Sequence, residues 1–173
     1  NDYWKPNVKN FSLKYLTEGL KDRAITRDIE WGIPIPLEGY ETKRIYVWFE
    51  AVIGYLSASK EWAQLQNKPD EWQKFWFNKN ARSYYFLGKD NIPFHTIIWP
   101  GILLGYENHN LPYDVPANEY MNLSGGKFSK SENRAVWTHE FLEKFSADAL
   151  RYYIVSNMPE NSDSDFTWEE FLR

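Results

Sequence analysis

The pattern of hydrophobic and polar positions changes its period repeatedly along the chain. A β-branched and aromatic run at 43–50 is typical of a strand, and residues 82–88 repeat that composition. Residues 114–124 predict a third, weaker strand. Between the first two runs the chain has a helical period, and the side chains that would share one helical face are Val52, Tyr55, Leu56 and Ser59. The pattern therefore predicts strands that alternate with helices.

The segment that follows the second predicted strand also has a helical period, with one face formed by Phe94, Ile97, Ile98 and Gly101. Pro93 suits a first helical turn, whereas Pro100 is expected to kink the helix or weaken its hydrogen bonding. From residue 138 onward the pattern is again helical, with Ser146 and Thr167 as expected N-caps. The acidic stretch at 160–166 is expected to be a loop.

The order strand, helix, strand, helix, strand is that of a parallel sheet with crossover helices, so the fold class is expected to be α/β. Ligands in such sheets bind beyond the carboxyl ends of the strands. Those ends are here residues 48–51, 88–91 and 123–131. The sequence therefore predicts that these three segments lie close together at one edge of the sheet.

The composition narrows the class of protein. Of the 173 residues, 18% are aromatic, which favours a core of large rings or a pocket for a flat or soft ligand. The absence of Cys excludes disulfides and Cys-ligated zinc, and the three widely spaced His form no metal-ligand pattern. A net charge of −4 argues against broad nucleic-acid binding. With no apolar run long enough for a bilayer and no signal peptide, we expect a soluble, cytoplasmic protein without a membrane partner.

Three features carry candidate chemistry, and each also has a plain structural interpretation. Residues 88–90, Gly-Lys-Asp, can hold ribose hydroxyls after a strand, but the same tripeptide also forms ordinary turns. His95 and Trp99 lie one helical turn apart and point together, which suits a pocket or a packed core. Two lysines three residues apart in the loop at 125–131 can follow a polyphosphate, or belong to a solvated linker. The loop is not a Walker A motif, and no nucleophile–base pair is evident.

The segment KFSKS at 127–131 resembles the Lys-Met-Ser-Lys-Ser signature of class I aminoacyl-tRNA synthetases. Residues 46–57 and 88–105 resemble the methionyl-tRNA synthetases among them. Residues 146–171 resemble the helical region behind the signature loop, and residues 11–36 resemble the return from the inserted domain. The resemblance spans essentially the whole chain, with the stretches in the family's order.

The resemblance implies the second half of a Rossmann-like parallel-sheet catalytic domain followed by stem-contact helices. Residues 1–124 would form the half-domain, with 1–42 returning from the inserted domain. Residues 125–173 would form the signature loop and the start of the helical region. Val52 replaces a frequent Pro of the family, and Phe128 replaces the Met of the signature.

The resemblance also implies roles for individual residues. The methionine side chain would be bound by Trp48, Ala51, Tyr55, Asn91, His95 and Trp99. ATP would be bound by Gly88 and Asp90 at the ribose and by Lys127, Ser129 and Lys130. Lys127 and Lys130 would be catalytic, because they would stabilise the pyrophosphate leaving group. The implied reaction forms methionyl-adenylate from methionine and ATP, with Mg²⁺ bound to the ATP, and passes the acyl group to tRNA(Met).

Parts of the family pattern are absent from these residues. None of the three His is followed by x-Gly-His, the signature that anchors the ATP phosphates from the other half of the fold. The cysteine-bearing zinc insertion and the anticodon-binding domain are also absent, so no zinc is expected here. We expect a fragment of a methionine–tRNA ligase that is inactive alone. The alternatives are a non-catalytic module that binds methionine, nucleotide or tRNA, and a class I synthetase for another apolar amino acid.

Overall fold

The computed structural model describes residues 2–106, 108–129 and 131–173. The chain forms two compact units. The first comprises Asn1–Phe86 and Asp90–Pro116, and the second comprises Leu87–Lys89 and Ala117–Arg173. Helices and paired strands occur in one chain, as the α/β prediction requires. The boundary expected at residue 124 stays a prediction.

The helices and strands are short and follow one another closely. In chain order they are α1 (Pro6–Thr17), β1 (Thr26–Arg27), β2 (Arg44–Ile45), α2 (Val47–Glu50), α3 (Gly54–Leu65), α4 (Gln73–Trp76), β3 (Leu87–Gly88), α5 (Trp99–Gly105), β4 (Ala117–Asn118), β5 (Met121–Leu123), α6 (Thr138–Leu142), α7 (Ala147–Ser156), β6 (Ser164–Phe166) and α8 (Trp168–Phe171). Turns of 3₁₀-helix span Ala51–Ile53 and Lys89–Asn91, and a π-helical turn spans Phe94–Ile98.

The strand predicted at 43–50 is wrong beyond its first residues. Only β2 is extended there, and it pairs antiparallel with β1 rather than within a parallel sheet. From Tyr46 the chain turns into α2, because the amides of Phe49 and Glu50 both donate to the Tyr46 carbonyl, at 2.9 and 3.3 Å. With a two-residue partner strand, the following backbone groups are satisfied within a helix instead. The prediction that residues 48–51 form the carboxyl end of a strand is therefore wrong.

Parallel pairing does occur in the second unit. Leu87 of β3 pairs with Ala117 of β4, and β5 pairs with β6 along three residues. The strands expected at 82–88 and 114–124 are thus confirmed in part. β6 covers the last three residues of the stretch at 160–166 that is expected to be a loop, so that expectation is wrong for these three residues. Its sequence, Ser-Asp-Phe, has a weak strand propensity, and its pairing with β5 decides its conformation.

The predicted helix starts are confirmed. Ser146 caps α7 by accepting a hydrogen bond from the Ala149 amide at 3.2 Å. Thr167 caps α8 in the same way, accepting from the Glu170 amide at 3.2 Å. Each side chain satisfies one of the amides that a first helical turn leaves without a partner.

Pro100 has the disruptive effect that the sequence predicted. The turn just before it, Phe94–Ile98, is π-helical, and the Trp99 amide donates to the Phe94 carbonyl five residues back. In a regular α-helix the proline ring would collide with the Thr96 carbonyl, and the wider turn relieves that collision. The π-turn thereby places His95 and Trp99 on the inner side of the first unit, where both are buried.

Each unit has its own apolar core. In the first unit the largest fully buried side chains are Val8, Ile92, Trp99, Leu103 and Val115. In the second unit the core is aromatic, with Phe141, Tyr153 and Phe166 buried. None of the helices within the described ranges is long and apolar enough to cross a membrane.

Candidate functional site

His95 is held by a hydrogen bond at each ring nitrogen. Nδ1 lies 2.9 Å from the Asn91 carbonyl, and Nε2 lies 2.8 Å from the hydroxyl of Tyr55 on α3. Because a carbonyl can only accept, Nδ1 carries the proton and Nε2 accepts from the Tyr55 hydroxyl. Burial lowers the pKa of His95, so the ring is neutral at neutral pH. The imidazole therefore has one tautomer and one direction.

Trp99 completes a group of four rings that we call the aromatic cluster: Tyr55, Tyr85, His95 and Trp99. Trp99 is 1% exposed, and its indole N–H donates to the Tyr85 hydroxyl at 3.0 Å. The Tyr55 ring centroid lies 5.0 Å from that of Tyr85 and 6.4 Å from that of Trp99. Offset and edge-on contacts of this kind add to the free energy of burial. The cluster brings together three of the six residues predicted to bind methionine.

The other three residues expected at the methionine side chain lie in the same unit. Asn91 contributes its carbonyl to His95, as described above. Trp48 is half-exposed on α2, and its ring lies 5.6 Å from that of Phe94. Ala51 is exposed just after α2. The half-exposed ring of Tyr55 thus contacts a buried, fixed imidazole, and the half-exposed ring of Trp48 contacts Phe94, the residue before His95.

Tyr85 was not predicted as a site residue, although it contacts three members of the expected set. Its ring also lies 5.4 Å from that of His95, and the side chain is buried. The sequence feature that could have identified Tyr85 is its place in the extended run at 82–88, because alternate side chains of a strand point toward the core. The sequence could not show which of the two adjacent tyrosines that would be.

Gly88 ends β3 in the second unit, and Lys89 follows it with three close partners. The Lys89 ammonium lies 2.7 Å from Glu119, 3.0 Å from Asp163 and 4.1 Å from the centroid of the Tyr120 ring. Hydrogen bonds to the two carboxylates raise the pKa of Lys89. The Lys89 ammonium is therefore held by ion pairs and an aromatic ring of its own unit. Asp90, the expected ribose ligand, belongs to the first unit.

The signature loop, residues 123–134, is closed by two pairs of backbone contacts. Leu123 bridges Gly126, and Ser129 exchanges two hydrogen bonds of 2.9 Å with Arg134. The Arg134 guanidinium donates to the Leu123 carbonyl at 2.8 Å. Gly125 has φ of +77°, a conformation that side chains disfavour. The loop is thus hydrogen-bonded at its base rather than a plain solvated linker.

Asp165 on β6 holds the first glycine of the loop. Both of its carboxylate oxygens accept from the Gly125 amide, at 3.0 and 2.8 Å. Sequence reasoning missed this residue because the segment that contains it was expected to be a loop. Nothing in the local pattern indicates that a strand 40 residues away would bring the carboxylate to Gly125.

Lys127 lies close to the Tyr120 ring, with its ammonium 5.6 Å from the ring centroid. Asp163 is nearby as well, and its pKa is lowered by the Tyr120 amide and by Lys89, with a smaller contribution from Lys127. The Ser129 hydroxyl lies 3.2 Å from that of Ser131. Lys130, the second predicted catalytic lysine, lies outside the described residues.

Replacing Asp165 by Ala is expected to accelerate hydrogen exchange at Gly125 by about 10- to 100-fold, since a bond to a charged acceptor contributes roughly 1.5–3 kcal/mol. Hydrogen-exchange mass spectrometry of peptides that contain residue 125 measures this. Asp148→Ala is the matched control, because Asp148 pairs with a surface arginine in its own helix, outside the loop. Equal exchange rates in both variants would show that Asp165 does not hold the loop.

A family model described as tRNA synthetases class I (M) matches residues 1–173. The methionine–tRNA ligase of Dehalococcoides mccartyi strain 195 is 63% identical over 171 residues, covering 99% of this chain and 31% of that protein. The ligase of Pyrococcus horikoshii is 54% identical over 184 residues, covering 99% of this chain and 25% of that protein. The chain spans less than a third of the length of these relatives.

Solved structures have the same fold. The Mycobacterium tuberculosis methionyl-tRNA synthetase in complex with methionyl-adenylate aligns with a TM-score of 0.76 at 25% identity, covering 99% of this chain and 32% of that one. Its ligand-free form aligns with a TM-score of 0.70 at 22% identity and supports the fold alone. Because the family model matches the whole length and relatives share more than half of their aligned residues, this chain belongs to the class I tRNA synthetases of the methionyl (M) family.

Proposed function

We propose that the chain forms the methionine-recognising and pyrophosphate-stabilising part of a methionine–tRNA ligase. In this reaction a methionine carboxylate oxygen attacks the α-phosphorus of ATP, and the bond from that phosphorus to the bridging oxygen breaks. Pyrophosphate leaves with the bonding electrons. A hydroxyl of the terminal ribose of tRNA(Met) then attacks the carbonyl carbon of methionyl-adenylate, loses its proton and displaces AMP. The single observation that carries the proposal is the aromatic cluster around a neutral, doubly hydrogen-bonded His95.

The aromatic cluster suits a thioether side chain. Sulfur gains from contact with aromatic rings, and an unbranched side chain fits a pocket whose shape does the discrimination. Trp48 and Tyr55 offer half-exposed ring faces, and Ala51 leaves room beside them. A neutral imidazole does not repel the ligand's ammonium group, as a charged one would. Asn91, His95 and Trp99 then form the rigid side of the pocket.

ATP binding falls to the backbone at Gly88, the Asp90 carboxylate and the signature loop. An added Cβ at Gly88 would meet nothing within 4 Å, so its backbone is open to a ribose. Asp90 would accept hydrogen bonds from the ribose hydroxyls. Lys127, Ser129 and Lys130 would contact the β- and γ-phosphates, where ammonium groups stabilise the charge that builds on the leaving group.

The position of Lys127 is compatible with movement toward a phosphate. A cation–π contact at an exposed site contributes only about 0.5–1 kcal/mol, so exchanging Tyr120 for a polyphosphate costs little. Mg²⁺ would arrive bound to ATP. Across the part of the chain that the structure describes, no group of three His, Cys, Asp or Glu could hold a metal ion.

The 173-residue chain alone is expected to catalyse little or no methionine-dependent ATP–pyrophosphate exchange, because it contains no His-x-Gly-His phosphate anchor. The complete polypeptide that carries this sequence is expected to catalyse the exchange. Radiolabelled pyrophosphate incorporated into ATP, with and without methionine, measures both. No exchange by the complete polypeptide would contradict the proposed function, whereas full exchange by the chain alone would contradict the need for the anchor.

Calorimetry on the chain separates the proposed function from the two alternatives. Tight tRNA binding would indicate a non-catalytic module, although the net charge of −4 weighs against it. An unchanged methionine affinity after His95→Ala would indicate a pocket for another apolar amino acid. The proposed function instead predicts a clear loss of methionine affinity in that variant.

A further inference from the structure

A pair of hydroxyl groups lies behind the π-turn, between α1 and the segment that carries His95. Ser12 of α1 is 8% exposed, and its hydroxyl lies 2.8 Å from that of Thr96. Within residues 2–106, 108–129 and 131–173, Ser12 and His95 are the two buried polar side chains. A buried hydroxyl is costly unless it is hydrogen-bonded, so its presence on an inward face of α1 needs a reason.

The hydrogen bonds of this pair lead to the backbone just before the π-turn. The Thr96 hydroxyl lies 2.9 Å from the Ile92 carbonyl, and the Ser12 hydroxyl lies 2.7 Å from the Val8 carbonyl. Two hydroxyl protons serve three short contacts, so two bonds form at a time. The Val8 and Ile92 carbonyls can only accept, so the Ser12 proton is shared between Val8 and Thr96, and the chain of hydrogen bonds that reaches Ile92 runs from Ser12 to Thr96 to Ile92.

Two adjacent residues of the turn make the same kind of contact. The His95 ring donates to the carbonyl of Asn91, and Thr96 donates to the carbonyl of Ile92, each four residues back. Side chains of the π-turn thus hydrogen-bond two successive carbonyls just before it. The Ser12–Thr96 contact ties one of the two to α1, which is 84 residues away in sequence. Any shift of Thr96 would carry the neighbouring His95 with it.

We propose that Ser12 and Thr96 are positioning residues that fix the direction of the His95 imidazole and thereby set the affinity of the pocket for methionine. The inference rests on the proposed function, since it assigns this pair to the methionine site. Neither hydroxyl is required to touch the substrate. Both act through the Thr96 backbone, which continues directly from His95.

The test uses the complete polypeptide and four variants: Ser12→Ala, Thr96→Val, Thr96→Ser and the Ser12→Ala/Thr96→Val double variant. Thr96→Val keeps the shape and removes the hydroxyl, whereas Thr96→Ser keeps the hydroxyl. In pyrophosphate exchange, Thr96→Val and Ser12→Ala are each expected to raise the KM for methionine about 5- to 20-fold, with kcat within about twofold, as expected when an interaction shared by ground and transition state is lost. For Thr96→Ser, the KM for methionine is expected to lie within about twofold of the value for the protein without substitutions. The double variant is expected to be no worse than the more impaired single variant, because the two hydroxyls act as one unit.

Thr17→Val is the matched control, because Thr17 makes a similar hydroxyl contact to a backbone carbonyl at the exposed end of α1. A KM for methionine that is unchanged in Thr96→Val would overturn the proposal. Equal impairment of Thr96→Ser and Thr96→Val would also overturn it, because packing rather than the hydroxyl would then be responsible. If Thr96→Val does not fold, Ser12→Ala and Thr96→Ser decide the same question.

A second measurement is independent of catalysis. The ring ¹⁵N chemical shifts of His95, assigned by loss of its signals in His95→Gln, report which nitrogen carries the proton. Thr96→Val is expected to change these shifts and Thr17→Val to leave them alone. Unchanged shifts would overturn the positioning role. If the unchanged protein shows no methionine-dependent exchange, the proposed function fails, while the shifts still decide whether the pair positions His95.

Discussion

Replacement of Trp99 by Ala is expected to lower the free energy of unfolding by about 3–5 kcal/mol, the typical range for removing a fully buried tryptophan. Trp99 is 1% exposed and contacts Tyr55 on one side and Trp76 on the other, with ring centroids 6.4 and 5.8 Å away. The change would leave a large cavity at the centre of the first unit. It would also remove the indole N–H that binds the Tyr85 hydroxyl.

Equilibrium unfolding in urea, followed by circular dichroism, measures the loss. Trp99→Phe is expected to lower the free energy of unfolding by less than Trp99→Ala does, because an aromatic ring remains. The main losses are one hydrogen bond and part of the side-chain volume. Trp31→Ala is the matched control. Trp31 is 88% exposed, so its removal should change the free energy of unfolding by at most about 0.5 kcal/mol. Similar free energies of unfolding for Trp99→Ala and Trp31→Ala would show that the aromatic cluster does not stabilise the unit.

Replacement of Lys127 by Ala is expected to reduce kcat for pyrophosphate exchange by about 10²–10³-fold, the usual cost of removing one group that stabilises transition-state charge. The KM for methionine should change little. Lys127 lies in the signature loop near Tyr120, in the second unit, whereas the proposed methionine residues belong to the first. An ammonium group that meets the phosphates as pyrophosphate departs would contribute mainly to the transition state.

Steady-state exchange in the complete polypeptide, with methionine and ATP varied separately, tests this expectation. Lys144→Ala is the matched control, since Lys144 is an exposed lysine of the same unit outside the loop. Lys127→Arg keeps the charge but not the compact ammonium, so partial activity is expected. A Lys127→Ala variant with normal kcat, or with only a raised KM for methionine, would remove Lys127 from the catalytic step.

Local signals in the sequence were sufficient where the physics is local. Ser146 and Thr167 were identified as caps because a hydroxyl can reach the amides of the very next turn. The effect of Pro100 was predictable because the proline ring acts on its own helix, four residues back. His95 and Trp99 were paired because a helix repeats every turn. In each case the partner lies within a few residues.

Longer-range pairing was not predictable from one sequence. β6 became a strand because β5 lies beside it, and Asp165 reached Gly125 only through that pairing. The run at 43–50 had the composition of a strand, yet β1 offers a partner to only two of its residues. Strand propensity depends on such neighbours more than helix propensity does, which is why the errors are all in strands.

The sequence by itself determined the α/β class, the helix caps and the membership of the family, because these follow from local patterns and contiguous motifs. The tertiary structure alone decided which aromatic side chains meet. It placed Tyr85 against Trp99, brought the Tyr55 hydroxyl to Nε2 of His95, and joined Ser12 to Thr96 across 84 positions. These contacts depend on how helices pack against one another, and packing distance is not encoded in the spacing of residues along the chain.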